Sequence, residues 1–279
     1  MAGDWLPAGP DLPTILSQYP QPLHTLSKAE VPAIMLRGAY QQSQCAGLID
    51  RFTQRELMPA ADGIELTNGK VRRVDIGVSL NSLASDREAF FEAAAATREL
   101  YSTLFDGFDD PVKILYRSLS ELAEAEGKTV RVAREPDGRE YCPAIIRIHY
   151  GGHRYTPHID HATLREQRFD YAVSRFDHQF AGVLCLQNAM AQGGRVPQAI
   201  LHSYLWTEEM DRHVDEKAFR ELAAERQIEN HEVDLGVGDL YFFNTRCIHE
   251  VPAVGGDQAR VVLAVFIGYS DDDEVFVWS

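Results

Sequence analysis

The pattern of apolar and polar positions divides the chain near Pro143. Before it the spacing is mostly helical. A short apolar run over 31–38 (VPAIMLRG) predicts a strand, and a helix over about 42–58 follows, with Cys45, Leu48, Ile49, Phe52 and Leu57 on one face. Ser85, three positions ahead of Glu88, offers a capping box to a second helix whose inward face holds Phe90, Phe91, Ala94, Leu100 and Leu104. Asp110 and Pro111 supply an N-cap and a first-turn proline for a third helix to about Gly127, carrying Ile114, Leu115, Leu119 and Leu122 inward. The first 30 residues hold Pro7, Pro10, Pro13, Pro20 and Pro22 with little periodicity, which predicts an extended arm lying on the domain.

After Pro143 short apolar or alternating runs recur at close spacing: 144–149, 156–160, 180–187, 198–206, 231–234, 239–244, 247–252, 259–269 and 274–278. Many short strands in series predict a sandwich or a barrel-like jelly roll, interrupted by one charged helix over about 208–227. No repeat, low-complexity block or linker separates two units. The expected fold is therefore α+β with a mainly β core, in a single domain spanning 1–279. Its parts are an arm over 1–30, mainly helical support over 31–142, and a jelly-roll core over 143–279 with a helical insert at about 207–227.

Composition narrows the function. The balance of 27 Lys and Arg against 42 Asp and Glu leaves a formal charge of −15, which disfavours a nucleic-acid polymer as partner because phosphate binding needs clustered cations. No window approaches the roughly 18 apolar residues of a membrane span, and the N-terminus lacks a basic-then-apolar signal pattern. Cys45, Cys142, Cys185 and Cys247 are scattered without CxxC spacing, as suits reduced thiols. A cytoplasmic protein with a small-molecule partner is the expectation.

The candidate chemistry lies in two segments. In 155–161 (YTPHIDH) a strand would turn His158 and Asp160 to one face while Ile159 packs behind. In 238–252 (GDLYFFNTRCIHEVP) a second strand carries His249, and Arg260 stands eleven residues further on, in the next strand. Two histidines and one carboxylate on a β scaffold form a facial triad for non-haem Fe(II) that leaves three positions open. A 2-oxo acid fills two of them and O2 the third, while the guanidinium of Arg260 grips the far carboxylate with a planar fork. A competing role for Arg260 is an ion pair with Asp257. Arg147 shares a strand face with Ile145 and His149, as a second contact for 2-oxoglutarate or substrate, or as a buried ion-pair member. His161 reads as a support or solvent group, Cys247 as a core filler, Gly193-Gly194 as a turn and 271–274 (DDDE) as a solvated loop. The helical insert reads as a solvated face or part of a lid.

These residues, in this order, resemble the Fe(II)/2-oxoglutarate-dependent oxygenase superfamily. The resemblance implies a double-stranded β-helix (jelly roll, cupin-like), iron on His158, Asp160 and His249, and 2-oxoglutarate on Arg260. A narrower likeness runs through 143–147 (PAIIR), Gly193-Gly194, the stretch from Gly238-Asp239 to His249, and Trp278-Ser279. These segments resemble the free-standing, carrier-independent hydroxylases and halogenases of natural-product pathways, in particular the welwitindolinone-type alkaloid halogenases. That subfamily has Gly where this chain has Asp160, so the likeness implies hydroxylation of an unactivated C–H of a natural product or its precursor. Desaturation, epoxidation and cyclisation are other outcomes of the same site. The competing classes are a cupin-type metalloenzyme without a 2-oxo acid and a non-catalytic jelly-roll binding protein.

Overall fold

The computed structural model describes residues 5–59, 73–83, 85–191, 194–195, 198–208 and 216–279. The chain opens with helices α1 (Leu12–Gln18) and α2 (Pro22–Ser27), strand β1 (Ile34–Leu36) and helix α3 (Gln42–Gln54). Strand β2 (Arg73–Ile76) and helices α4 (Leu80–Leu83), α5 (Arg87–Leu104) and α6 (Pro111–Glu124) follow, then β3 (Thr129–Val132), β4 (Ile145–His149) and β5 (Tyr155–His158). The remainder is β6 (His178–Gln187), β7 (Met190–Ala191), β8 (Gly194–Arg195), β9 (Ala199–Leu205) and helix α7 (Glu216–Glu225). After α7 come β10 (Asn230–Val233), β11 (Leu240–Asn244), β12 (Cys247–Val251), β13 (Arg260–Tyr269) and β14 (Glu274–Trp278).

Residues 12–18 and 22–27 are helical where an extended arm was expected. Pro13 and Pro22 each occupy the first turn of a helix, where a missing amide costs nothing, and the Asp11 carboxylate accepts from the Thr14 amide at 2.9 Å. Ile15, Leu23 and Leu26 then bury completely. The second predicted helix is capped one residue later than Ser85. Asp86 is extended (φ −128°) and its carboxylate accepts from the Ala89 amide at 3.0 Å. The Asp110 cap of α6 forms as expected.

A large sheet runs β1-β11-β6-β13-β14-β3, with β4 also paired to β13 and β2 to β4. A small sheet runs β10-β9-β12-β5. Pairing is antiparallel except between β14 and β3. Alternation along the central strands sorts the core into two layers, because successive side chains of a strand point to opposite faces. Phe180, Leu184, Leu263 and Ile267 join Leu48, Phe52, Leu115 and Leu119 under α3 and α6. Val183, Cys185, Val262 and Phe243 turn the other way, toward Ala199 and Leu201 of the small sheet. Helices α3 and α6 therefore seal one face of the large sheet, while its other face forms a cavity with the small sheet that α4 borders through Asn81 and Ser82.

The predicted strands after Pro143 all appear, and the first half adds β1, β2 and β3 to the large sheet. Of these only β1 was legible. Gly238-Asp239 is a turn required by the fold: Gly238 takes φ +89°, and a Cβ there would lie 2.1 Å from the Tyr40 carbonyl oxygen. Asp239 ties the turn down, accepting from Arg37 at 2.7 Å and from the Gly38 amide at 2.8 Å. Residues 209–215 of the helical insert and Gly193 lie outside the described residues; Gly194 stands in β8.

Candidate active site

Strands β5 and β12 pair with His158 directly opposite His249. Asp160 lies just beyond β5, not within it as its predicted strand required. Its amide donates to the Thr245 carbonyl at 3.1 Å, and the Thr245 hydroxyl donates back toward the Asp160 carbonyl at 2.6 Å. The loop is thus pinned to the β11–β12 turn, which swings the carboxylate onto the histidine face. One ligand atom from each of His158, Asp160 and His249 lies within 4.8 Å of the other two.

Hydrogen bonding sets what these atoms offer. The Nδ1–H of His158 donates to the Thr156 carbonyl at 2.7 Å and that of His249 to the Cys247 carbonyl at 2.9 Å. Each bond orients its ring and leaves Nε2 as the nitrogen that faces Asp160 Oδ2, at 3.8 Å from His158 and 3.4 Å from His249. Burial pushes His158 down to about 4, helped by His249 beside it. Burial works to raise the Asp160 carboxyl, but contact with His249, the facing His158 and the charge of Arg147 prevail and hold it below the usual carboxylate range. Two imidazole nitrogens and a carboxylate converging on one point are a donor set that a divalent cation matches.

The three donors open into a cavity of about 280 Å³ between the sheets, lined also by Arg147, His149 and Arg260. Arg260 is 5% exposed. It pairs with no acid among the described residues, so the Asp257 alternative does not form. Its Nε–H donates to Gln198 Oε1 at 2.6 Å and its Nη1 to His149 Nδ1 at 3.0 Å. A guanidinium has five N–H donors, so three remain for a ligand. Arg147 makes no ion pair among the described residues, and its buried Nε has no hydrogen-bond partner. Gln198 and Thr245 were not singled out from sequence, and His149 only as a strand-face neighbour of Arg147, because nothing in a linear pattern distinguishes a buried polar side chain that aims a neighbour.

The described part of the insert does not cover the cavity. Helix α7 lies on the far side of the small sheet, where Phe219 and Leu222 pack with Ile159, Trp206 and Ile248. Arg220 of α7 donates to Glu250 at 2.7 Å, fastening the helix to the back of the strand that carries His249. His161 is buried, its Nδ1 near the Thr163 and Leu164 amides, and Cys247 is a buried thiol pushed up to about 12 by burial. In the acidic loop, Glu274 pairs with Arg131 and Arg175.

A facing pair of sheets with a His–Asp–His donor face and a buried guanidinium in one cavity defines a 2-oxoglutarate-dependent non-haem iron oxygenase. The sequence profile of the carrier-protein-independent halogenase WelO5 family matches residues 12–279, and the chain belongs to that family. No curated protein matches it. Among solved structures it resembles an N-substituted L-amino acid dioxygenase from Burkholderia ambifaria AMMD, with 15% identity over 94% of this chain and 91% of that one, at a TM-score of 0.58. The complex of that enzyme with alpha-ketoglutarate aligns at 16% identity and a TM-score of 0.55, over 92% and 90% of the two chains. At such identities the likeness is one of fold.

Proposed function

We propose that this protein is an Fe(II)- and 2-oxoglutarate-dependent hydroxylase acting on an unactivated C–H of a small-molecule natural product or its precursor. In this reading residues 1–279 form one oxygenase unit on a double-stranded β-helix, working in the cytoplasm. His158, Asp160 and His249 would hold the iron and Arg260 the distal carboxylate of 2-oxoglutarate, with Arg147 as a second cation in the same cavity.

The observation that carries the reading is Asp160. Its carboxylate completes the histidine face, so a third protein ligand stands where halogenation would need a place for a halide. The loaded iron supplies the oxidising chemistry, in which O2 and 2-oxoglutarate become succinate, CO2 and one oxygen atom delivered to substrate. The chain itself supplies position and environment. The Thr156 and Cys247 carbonyls lock both imidazoles, Thr245 holds the Asp160 loop, and His149 with Gln198 fixes the fork of Arg260 before any ligand arrives. Apolar walls from Ile145, Val262 and Phe266 limit water around the substrate carbon.

Anaerobic addition of Fe(II) and 2-oxoglutarate should produce a weak visible charge-transfer band in wild type and none in His249→Ala. Succinate release should then be independent of chloride. No band in folded wild type would move the cupin and binding-protein readings forward, and chloride-dependent incorporation of halogen would replace hydroxylation.

A further inference from the structure

The cavity wall formed by β13 and β4 is built in three rows across the sheet. Arg260 is in register with His149, Val262 with Arg147, and Ala264 with Ile145. All six side chains line the cavity. The first row is polar and self-contained, since His149 already orients Arg260. The third row is apolar and continues into Phe266. Arg147 stands between them, a cation at the edge of an apolar compartment.

That cation forms no ion pair with any acid among the described residues, although its charge is felt by Asp160. Asp75 is its cross-strand neighbour on β2, yet the Asp75 carboxylate pairs with Arg73 at 2.8 Å and forms no ion pair with Arg147. Asp160 belongs to the histidine face. Arg147 Nε is buried without a partner. A half-buried guanidinium whose Nε is enclosed without a partner is costly, and charge is the quantity to balance. On the reading given under Proposed function, a divalent metal (+2), Asp160 (−1), a 2-oxoglutarate dianion (−2), Arg260 (+1) and Arg147 (+1) leave the loaded cavity at +1, with the two histidines neutral and Arg73, which also lines the cavity, cancelled by Asp75. One further negative charge is missing, and it belongs beside Arg147.

We infer that the substrate is a carboxylic acid with an apolar body: its carboxylate pairs with Arg147, and the body lies along Ile145, Ala264 and Phe266. This rests on the iron and 2-oxoglutarate reading and adds the substrate class to it. Arg260 and Arg147 then divide two carboxylates between them, Arg260 taking the cosubstrate and Arg147 the substrate.

The test uses the full chain loaded anaerobically with Fe(II) and 2-oxoglutarate. Hexanoate, phenylacetate and N-acetyl-L-leucine are each titrated against their neutral primary amides by calorimetry. In wild type at least one carboxylate should bind about tenfold or more tightly than its own amide, as a charge-assisted pair requires. Arg147→Gln should erase that preference while the 2-oxoglutarate affinity, read from the visible band, stays within about threefold. Arg147→Lys should restore part of the preference, and unchanged melting temperatures tie both results to charge. The inference is overturned if no carboxylate is preferred in wild type, if the preference survives Arg147→Gln, or if Arg147→Gln weakens 2-oxoglutarate as much as Arg260→Gln does. A wild type without the visible band would strike down the underlying reading as well, whereas a normal band without carboxylate preference strikes down this inference alone.

Discussion

Replacing Arg260 by Gln removes one cation from a site already built around it. The guanidinium is 5% exposed, spends its Nε–H on Gln198 and one Nη1–H on His149, and keeps three donors for the cavity. If two of those meet a carboxylate as a fork, each charge-assisted bond contributes at least about 1.5 kcal/mol, so the pair is worth roughly 3 kcal/mol. That corresponds to a 2-oxoglutarate affinity weakened about 150-fold. Burial lowers the pKa of Arg260 from its ordinary value, but a guanidinium remains charged at neutral pH, so the loss should not depend on pH between 6 and 8. Anaerobic titration of the Fe(II)-loaded protein, read from the visible band, measures the constant directly. Arg260→Lys keeps a point charge without the fork and should recover only part of the loss. A Gln variant that is folded, binds Fe(II) normally and holds 2-oxoglutarate within about threefold of wild type would refute the assignment, because no buried charged pair is so cheaply lost.

Three further predictions follow from the same geometry. Metal-free protein should lose stability as pH falls from about 6.5 toward 4, read as melting temperature against pH. Burial pushes His153 and His161 down to about 4 and His149 well down, so the unfolded chain takes up protons first, at up to about 1.4 kcal/mol per pH unit per group. Glu166, pushed up to about 7 by burial, opposes this as a single group whose contribution fades as pH rises; a flat profile would contradict the burial of the histidines. Ile159→Ala empties the contact between β5 and α7 where Ile159 is 1% exposed, and urea unfolding should show a loss of about 2–4 kcal/mol. If Asp160 is the third ligand, Asp160→Gly should open a coordination position, so that Fe(II) binds more weakly and the band becomes sensitive to chloride while that of wild type does not. Insensitivity of both proteins to chloride would mean that Asp160 does not occupy that position.

The sequence by itself determined the strands after Pro143 and the chemical types at the site. Alternation is a local property, so β6, β11, β12 and β13 could be read from the side chains that each must turn inward. His158, Asp160, His249 and Arg260 were legible because their chemistry is specific in combination and their order along the chain is fixed. The prolines of the first 30 residues misled for an equally local reason: a proline breaks a helix interior but favours a first turn, and only packing of Ile15, Leu23 and Leu26 selects the second outcome. What tertiary structure alone decided was convergence. Asp160 reaches the histidines through Thr245, 85 positions away, and not through the strand that the pattern assigned to it. Arg260 is aimed by Gln198 and His149, which are 62 and 111 positions distant. Arg147 is informative only in the fold, where its cross-strand neighbour Asp75 pairs with Arg73 and no other described acid pairs with it, because an ion pair is a property of space and not of sequence. The sheet that carries these residues gains β2 and β3 from the first half through pairings whose short, polar runs give no signal until a partner strand satisfies them.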